Sequence, residues 1–240
     1  VNILSNRFTF PSARVLANFL TKETGKVFKA TTNLSKSPAI VWGNSLAKNE
    51  TDLNTPELVK ISSNKRLFSE LLESNNIPCL KINYGEPQKF PVVVRTILTG
   101  SKGNGIVVCK DREEFIPYLH CGWTYWHYFK FELGVHILGG EIHRVFKKVS
   151  ELNEPEEFPI KNAERGYHYS LVDGNEYPKL IPFIKQIYEV FPIQFTRLDV
   201  GWDTENKIYR AIESNSAPGL SQNENTLEVY GEFIINKLGL

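Results

Sequence analysis

The chain has 240 residues, 41% of them hydrophobic, with 28 lysines and arginines against 27 acids and a formal net charge of +1. That length suffices for one large domain or two or three small lobes, and the charge balance gives no global pull toward nucleic acid or membrane. Apolar runs such as 91–95 are too short to span a bilayer, and Val1–Leu4 lacks the basic and apolar regions of a secretory signal. Three cysteines (Cys79, Cys109, Cys121), odd in number and without a C-x-x-C pair, argue against a disulfide framework or zinc ribbon and read as reduced thiols of a cytoplasmic protein.

Three regions follow in chain order. In residues 1–62, Val1–Leu4 and Ala39–Trp42 read as short buried strands. Between them an amphipathic helix runs from a Ser12 cap to Glu23, with Val15, Leu16, Phe19 and Leu20 at helical spacing. Strand–helix–strand predicts a small α/β lobe, followed by polar loop at Gly43–Thr55. In residues 63–129, Ser63 or Asn64 caps a helix holding Leu67, Phe68, Leu71 and Leu72, which stops before Pro78. Strands are predicted at Cys79–Ile82, Pro91–Thr96, Ile106–Cys109 and Thr124–Lys130, with a helix from Asp111 to Leu119. In residues 130–240, Glu132–Leu138 and Glu141–Val149 flank Gly139-Gly140, a hairpin signal. A helix at Pro178–Phe191, a second antiparallel pair (Phe195–Trp202, Ile208–Ser214) turning near Asp203–Asn206, and a helix from about Thr226 complete the chain. The fold class is therefore α/β plus α+β, with a cleft between lobes as the natural ligand site.

Four features carry chemistry. The stretch Gly100-Ser101-Lys102-Gly103-Asn104-Gly105-Ile106 lies between two predicted strands, so its backbone N–H groups can form an anion nest, although taken alone it reads first as a plain glycine-rich hairpin turn. It opens no helix, so it is neither a P-loop nor a dinucleotide turn. Arg95 ends a buried apolar strand and needs a partner, either a phosphate in that loop or a structural carboxylate. Arg197-x-Asp199 and Glu213-x-Asn215 fall on paired strands, where alternation puts each pair on one face. Together Asp199, Glu213 and Asn215 offer hard oxygen ligands for Mg²⁺, beside a guanidinium able to neutralise developing charge. Arg144 and Lys148 share a strand face; with Lys161 they are candidates for a phosphate or acidic substrate, or simply solvated charge. The histidines lack metal-ligand spacing and read as surface or hydrogen-bonded groups.

These residues resemble the ATP-grasp superfamily. Lys65 opening a helix that ends in Asn76-Ile77-Pro78, Pro91–Arg95 followed by Gly100–Ile106, Glu132 within Phe131–Ile137, and the Arg197-x-Asp199 and Glu213-x-Asn215 pairs all resemble its motifs, in order. The resemblance runs from about residue 39 to 240. It is nearest to the small ribosomal-protein-glutamate-ligase-like enzymes, several of them bacteriophage-encoded, on Val41–Ser45, Leu53-Asn54-x-Pro56, Ser63-Asn64-Lys65, Ile160–Tyr169 and Glu213–Leu220. It implies an ATP-grasp fold: a short N-terminal α/β lobe and two α+β lobes enclosing the nucleotide. It implies that Lys65 and Arg95 hold the α- and β-phosphates and that Gly100, Ser101, Lys102, Gly103 and Gly105 cover the β- and γ-phosphates. Trp126, His127 and Tyr128 would flank adenine and Glu132 would hold ribose. Asp199, Glu213 and Asn215 would bind Mg²⁺ (or Mn²⁺), and Arg197 would stabilise the acyl phosphate and tetrahedral intermediates. Three features depart from the pattern: Arg95 replaces a lysine, the hinge lacks an acidic residue, and Leu133 and Gly134 stand where many relatives carry an arginine after the Glu132 position.

The implied activity is carboxylate–amine ligation through an acyl phosphate, in a monomer or homodimer. The acid is a small molecule or peptide, and the site is cytoplasmic, in a host cell if phage-encoded. A nucleotide-binding protein without ligase activity, a ligase with a macromolecular acceptor, and a kinase are the alternatives.

Overall fold

The computed structural model describes residues 1–33, 40–46, 53–99, 103–151, 161, 166–220 and 224–240. The first sheet is parallel, in the order β2-β1-β3, from β1 (Asn2–Ser5), β2 (Lys29–Thr31) and β3 (Ile40–Trp42). The connecting helix α1 (Phe10–Thr24) has proline in its first turn, where the missing N–H costs nothing, and buries Ala13, Leu16, Ala17 and Leu20. Ser12 is not its cap: Thr9 precedes the helix. Ser12 Oγ donates to the Thr9 carbonyl (3.0 Å) and accepts the Trp42 indole N–H (2.9 Å). A second helix, α2 (Pro56–Ser63), follows the expected loop; Thr55 caps it and Pro56 opens it.

Helix α3 (Lys65–Ser74) is capped by the Asn64 side chain, which accepts from the Arg66 and Leu67 N–H groups. The expected strand over Cys79–Ile82 does not form. That segment passes between two sheets, making single bridges at Cys79 to Ala211 and at Asn83 to Trp123, so it has no partner strand along its length. The second sheet is antiparallel, in the order β5-β4-β6, from β4 (Val92–Arg95), β5 (Ile106–Cys109) and β6 (Gly122–Tyr125). Helix α4 (Arg112–Phe115) is shorter than expected, because the chain tightens into a 3₁₀ turn at Ile116–Tyr118 around Pro117. The single strand expected at Thr124–Lys130 is two: β6 ends at Tyr125, and β7 starts in another sheet at Phe129. The three cysteines are free thiols.

The third sheet is antiparallel, in the order β11-β10-β7-β8-β9. It comprises β7 (Phe129–Leu138), β8 (Glu141–Ser150), β9 (Tyr167–Val172), β10 (Phe195–Asp203) and β11 (Ile208–Asn215). Gly139 and Gly140 turn β7 into β8 with φ of 58° and 88°, the left-handed region a two-residue hairpin requires. One face of the sheet is apolar. Leu133, Val135, Val145, Leu198 and Val200 are buried against α5 (Leu180–Val190) and against Phe68 and Leu72 of α3. Each such side chain contributes roughly 1.5–3 kcal/mol of burial. The end of this sheet joins the first one through α1 and α6 (Glu224–Leu238), with Leu138, Phe195, Trp42 and Tyr230 in one cluster. Among the described residues no helix is long and apolar enough to cross a membrane.

Candidate active site

The other face of the five-stranded sheet carries charge, arranged in cross-strand rows. Directly paired residues of neighbouring strands share a face, so register alone assembles the rows. The first row reads Asn215–Arg197–His136–Arg144, and the second Glu213–Asp199–Gly134–Phe146–Leu171. In the third, Glu132 opposes Gly201 and Lys148 opposes Tyr169. Arg197 and Asp199 thus share a face with Glu213 and Asn215, and the two carboxylates sit opposite each other across β10 and β11.

Cations hold these carboxylates. Asp199 is 3% exposed: its Oδ1 takes Arg197 Nε at 3.0 Å, and its Oδ2 takes the Tyr169 hydroxyl at 3.0 Å and Lys148 Nζ at 3.3 Å. Lys148 also bonds Glu132 Oε2 at 3.0 Å, and Lys161 Nζ lies 3.3 Å from Glu132 Oε1. Burial would raise the Asp199 pKa, but Arg197 and Lys148 outweigh it and hold the carboxyl below its ordinary value. Burial would likewise lower Lys148, yet Asp199 and Glu132 keep its ammonium well above the usual lysine value. The Arg197 guanidinium stacks over the Tyr169 ring at 4.9 Å. Gly134 makes that possible: a Cβ there would lie 2.9 Å from Tyr169 Cε1 and 3.4 Å from Arg197 Cδ.

Lys65 from the start of α3 and Arg95 from the end of β4 in the second sheet approach the same rows. The first residue of α3 bonds the chain just past β4, with Lys65 N–H donating to the Leu98 carbonyl at 3.1 Å. From there Lys65 Nζ reaches Glu213 Oε2 at 3.0 Å. Arg95 is 7% exposed, and its buried Nε has no hydrogen-bond partner among the described residues. Burial lowers its pKa, opposed by the charge of Glu213. Gly103 and Gly105, with φ of 82° and 73°, stand at the base of the turn between β4 and β5. Gly100, Ser101 and Lys102 lie outside the described residues, as do Ala39, Asn162, Ser221 and Asn223. The crossover Trp126–Tyr128 leads into β7 three residues before Glu132; the His127 ring stacks on Phe129 at 6.1 Å, and Tyr128 is 65% exposed.

The donor set fits a divalent cation of the magnesium kind. Such an ion takes one or two carboxylates and completes its octahedron with phosphate oxygens and water, rather than using an all-protein cage. Asp199 and Glu213 supply two facing carboxylates, and among the described residues no cluster of three or more His, Cys, Asp or Glu forms a cage. Asn215 Oδ1 accepts the Ala217 N–H at 3.0 Å, so its amide also braces the turn after β11. The orphaned Arg95 Nε fits an anion beside them.

No protein-family model matches the chain, and none of the curated proteins matches it in sequence. Solved structures do match in shape. The D-alanine–D-alanine ligase from Bacillus anthracis superposes with a TM-score of 0.68 at 11% identity, over 98% of this chain and 94% of that one. The ATP-grasp ligase PsnB complexed with minimal precursor gives 0.69 at 8% identity, over 99% and 98%. The ADP complex of N5-carboxyaminoimidazole ribonucleotide synthetase gives 0.65 at 13%, over 90% and 70%. The chain has the ATP-grasp fold. At these identities the likeness speaks for the fold alone.

Within the ATP-grasp fold, the charged face lies where the second and third sheets meet, lined by Lys65, Arg95, Glu132, Lys148, Lys161, Arg197, Asp199 and Glu213. Arg144 stands two strands from Arg197, in the same row, and among the described residues bonds its neighbour's carbonyl, His143 O at 2.9 Å. Sequence reasoning missed Tyr169, which crosses from the edge strand to Asp199, and His136, which is 5% exposed beside Arg197. A glycine at 134, mid-strand in an otherwise apolar run, was the available signal for the close approach.

Proposed function

We propose that the protein is an ATP-dependent carboxylate–amine ligase that works through an acyl phosphate. The observation that carries this reading is the pairing of Arg197 and Asp199 with Asn215 and Glu213, on one face, beside Lys65 and the unsatisfied Arg95. In this proposal Lys65, Arg95 and the loop 100–105 hold the phosphates of the substrate ATP, Trp126–Tyr128 flank adenine, and Glu132 takes the ribose hydroxyls. Asp199, Glu213 and Asn215 would hold Mg²⁺, which when bound neutralises charge on the phosphate oxygens.

The remaining work belongs to the chain's own groups. Glu132 is tied to Lys148 and Lys161, so engaging ribose loosens one partner of each lysine, while Asp199 and the Phe129 carbonyl keep them beside the transferred phosphate or an acidic substrate, with Arg144 further along the row. Arg197, steered by Asp199 and stacked on Tyr169, presents its terminal nitrogens to the oxyanion that forms when an amine attacks the acyl carbon. The substrates are a small-molecule or peptide acid and an amine. The order of motifs favours the ribosomal-protein-glutamate-ligase-like subgroup. A second reading, nucleotide binding without ligation, draws on Asp199 having both oxygens satisfied within the protein.

The test is ADP release from Mg-ATP across a panel of amino acids and peptides, with hydroxylamine present to trap an acyl phosphate as hydroxamate. Acid-dependent ADP and hydroxamate are expected, and Asp199→Asn should abolish both. Nucleotide binding without turnover supports the second reading, and ADP release without hydroxamate indicates a kinase.

A further inference from the structure

Among the described residues, His136 has a ring on the charged face that is fixed on one side and unsatisfied on the other. Its Nδ1 lies 3.0 Å from the Tyr230 hydroxyl, and that hydroxyl lies 3.4 Å from the Thr196 carbonyl. A carbonyl only accepts, so the Thr196 contact requires the phenol's single proton. Both contacts are satisfied only if Nδ1 carries hydrogen and donates to the phenol oxygen. The tautomer this selects leaves Nε2 with a bare lone pair, and among the described residues nothing bonds it. Phe146 and Tyr230 wall the ring edge-on at 5.4 and 5.7 Å, so it cannot turn away. Burial and the charge of Arg197 push the imidazole down to about 3, so it stays neutral.

The neighbour across the strand pair is Arg197, with about 5 Å between the Cβ atoms of such a pair. Arg197 commits its Nε to Asp199, and its terminal nitrogens hydrogen-bond to no described residue. This end of the face therefore offers two opposite hydrogen-bonding characters side by side: a cation that attracts an oxyanion, and a lone pair that repels one and accepts an N–H. An acid oxygen or phosphate is excluded from the His136 position by like polarity, whereas an amine fits it.

We propose that His136 binds the amine substrate, its Nε2 accepting an N–H of a neutral primary amine held for attack on the acyl carbon beside Arg197. This rests on the ligase reading above. In the step itself the amine nitrogen forms the C–N bond and the acyl C–O bond breaks. Phosphate leaves with that electron pair and takes the surplus proton from nitrogen. His136 gains and loses no proton; it orients the nucleophile.

The experiment uses hydroxylamine as the amine probe, with an acid that supports ADP release in the wild-type protein. His136→Phe keeps a flat ring between Phe146 and Tyr230 but has no acceptor, and should raise the KM for hydroxylamine about tenfold, the scale of one lost hydrogen bond to substrate. KM for ATP and for the acid should stay within about twofold. His136→Gln, whose amide oxygen can stand near the Nε2 position, should recover most of the loss. An unchanged hydroxylamine KM in His136→Phe, or a parallel rise in the KM for ATP, overturns the assignment. Should His136→Phe not fold, imidazole ¹⁵N spectra of the wild-type protein decide: a protonated Nε2 overturns it, and a protonated Nδ1 with bare Nε2 is expected. A wild-type protein that releases ADP with no acid at all ends the ligase reading itself, an outcome distinct from normal amine kinetics in the variant.

Discussion

Lowering the pH from 7 to 5 should cost the protein about 2 kcal/mol of stability through His136 alone. The group has an ordinary value of 6.5 in the unfolded chain and about 3 in the fold, because the ring is buried and faces Arg197. Between those values the unfolded chain binds a proton that the folded protein does not. Stability is therefore full above about 6.5 and falls as the pH drops toward 3. At pH 5 the unfolded imidazole lies about one and a half units below its pKa, and at about 1.4 kcal/mol per unit the loss is about 2 kcal/mol. Any folded value well under 5 gives the same figure. The assay is urea unfolding of wild type and His136→Phe at both pH values, read as a difference of differences. His127 and His143 are also lowered, by burial first, and their contributions cancel between the two proteins. The lost bond to Tyr230 cancels as well, since it weighs equally at each pH. Equal pH sensitivity in the two proteins would refute the buried, neutral His136.

Gly134→Ala should push the Tyr169 ring off Asp199 because its Cβ would meet Cε1 at 2.9 Å; unfolding free energy should drop by only about 1 kcal/mol, since an edge-strand ring can give way, while ADP release falls more than about tenfold. Arg95→Met should raise stability by about 1 kcal/mol by removing a buried unsatisfied nitrogen, yet weaken calorimetric ADP affinity by about tenfold or more. Asp203, at the turn between β10 and β11, accepts from Asn206 N, Asn206 Nδ2 and Arg210 Nε at 3.0, 2.8 and 2.9 Å. Burial would raise its pKa, but these bonds bring it to about 2, so its contribution is present above about 4 and lost as the pH falls toward 2. Asp203→Asn should be less stable at pH 7, and the gap in urea midpoints should narrow through that acid window.

The hairpins were legible because their signals are local. Period-two alternation flanking Gly139-Gly140 and the polar turn at Asp203–Asn206 each fix a strand pair and its register. Register then places Arg197, Asp199, Glu213 and Asn215, so that part of the site could be read from spacing. The rest depends on contacts between distant segments. Tyr169 reaches Asp199 across two intervening strands, and no spacing within 167–172 encodes that. Lys148 gains its meaning only when Glu132 and Asp199 flank it. Cys79–Ile82 has the composition of a strand but no neighbour to pair with, and Pro117 cut short a helix that periodicity alone extended. The short edge strands β2 and β9 lack an apolar stripe, with no fully buried side chain in either, so composition did not mark them.

The most direct test of the proposed chemistry follows an oxygen atom. With an acid that supports ADP release, its carboxylate labelled with oxygen-18, the phosphate released on amide formation should carry one labelled oxygen, because the acyl phosphate bridge breaks on the carbonyl side. Unlabelled phosphate accompanying amide formation would contradict the acyl-phosphate route through Arg197, Asp199 and Glu213.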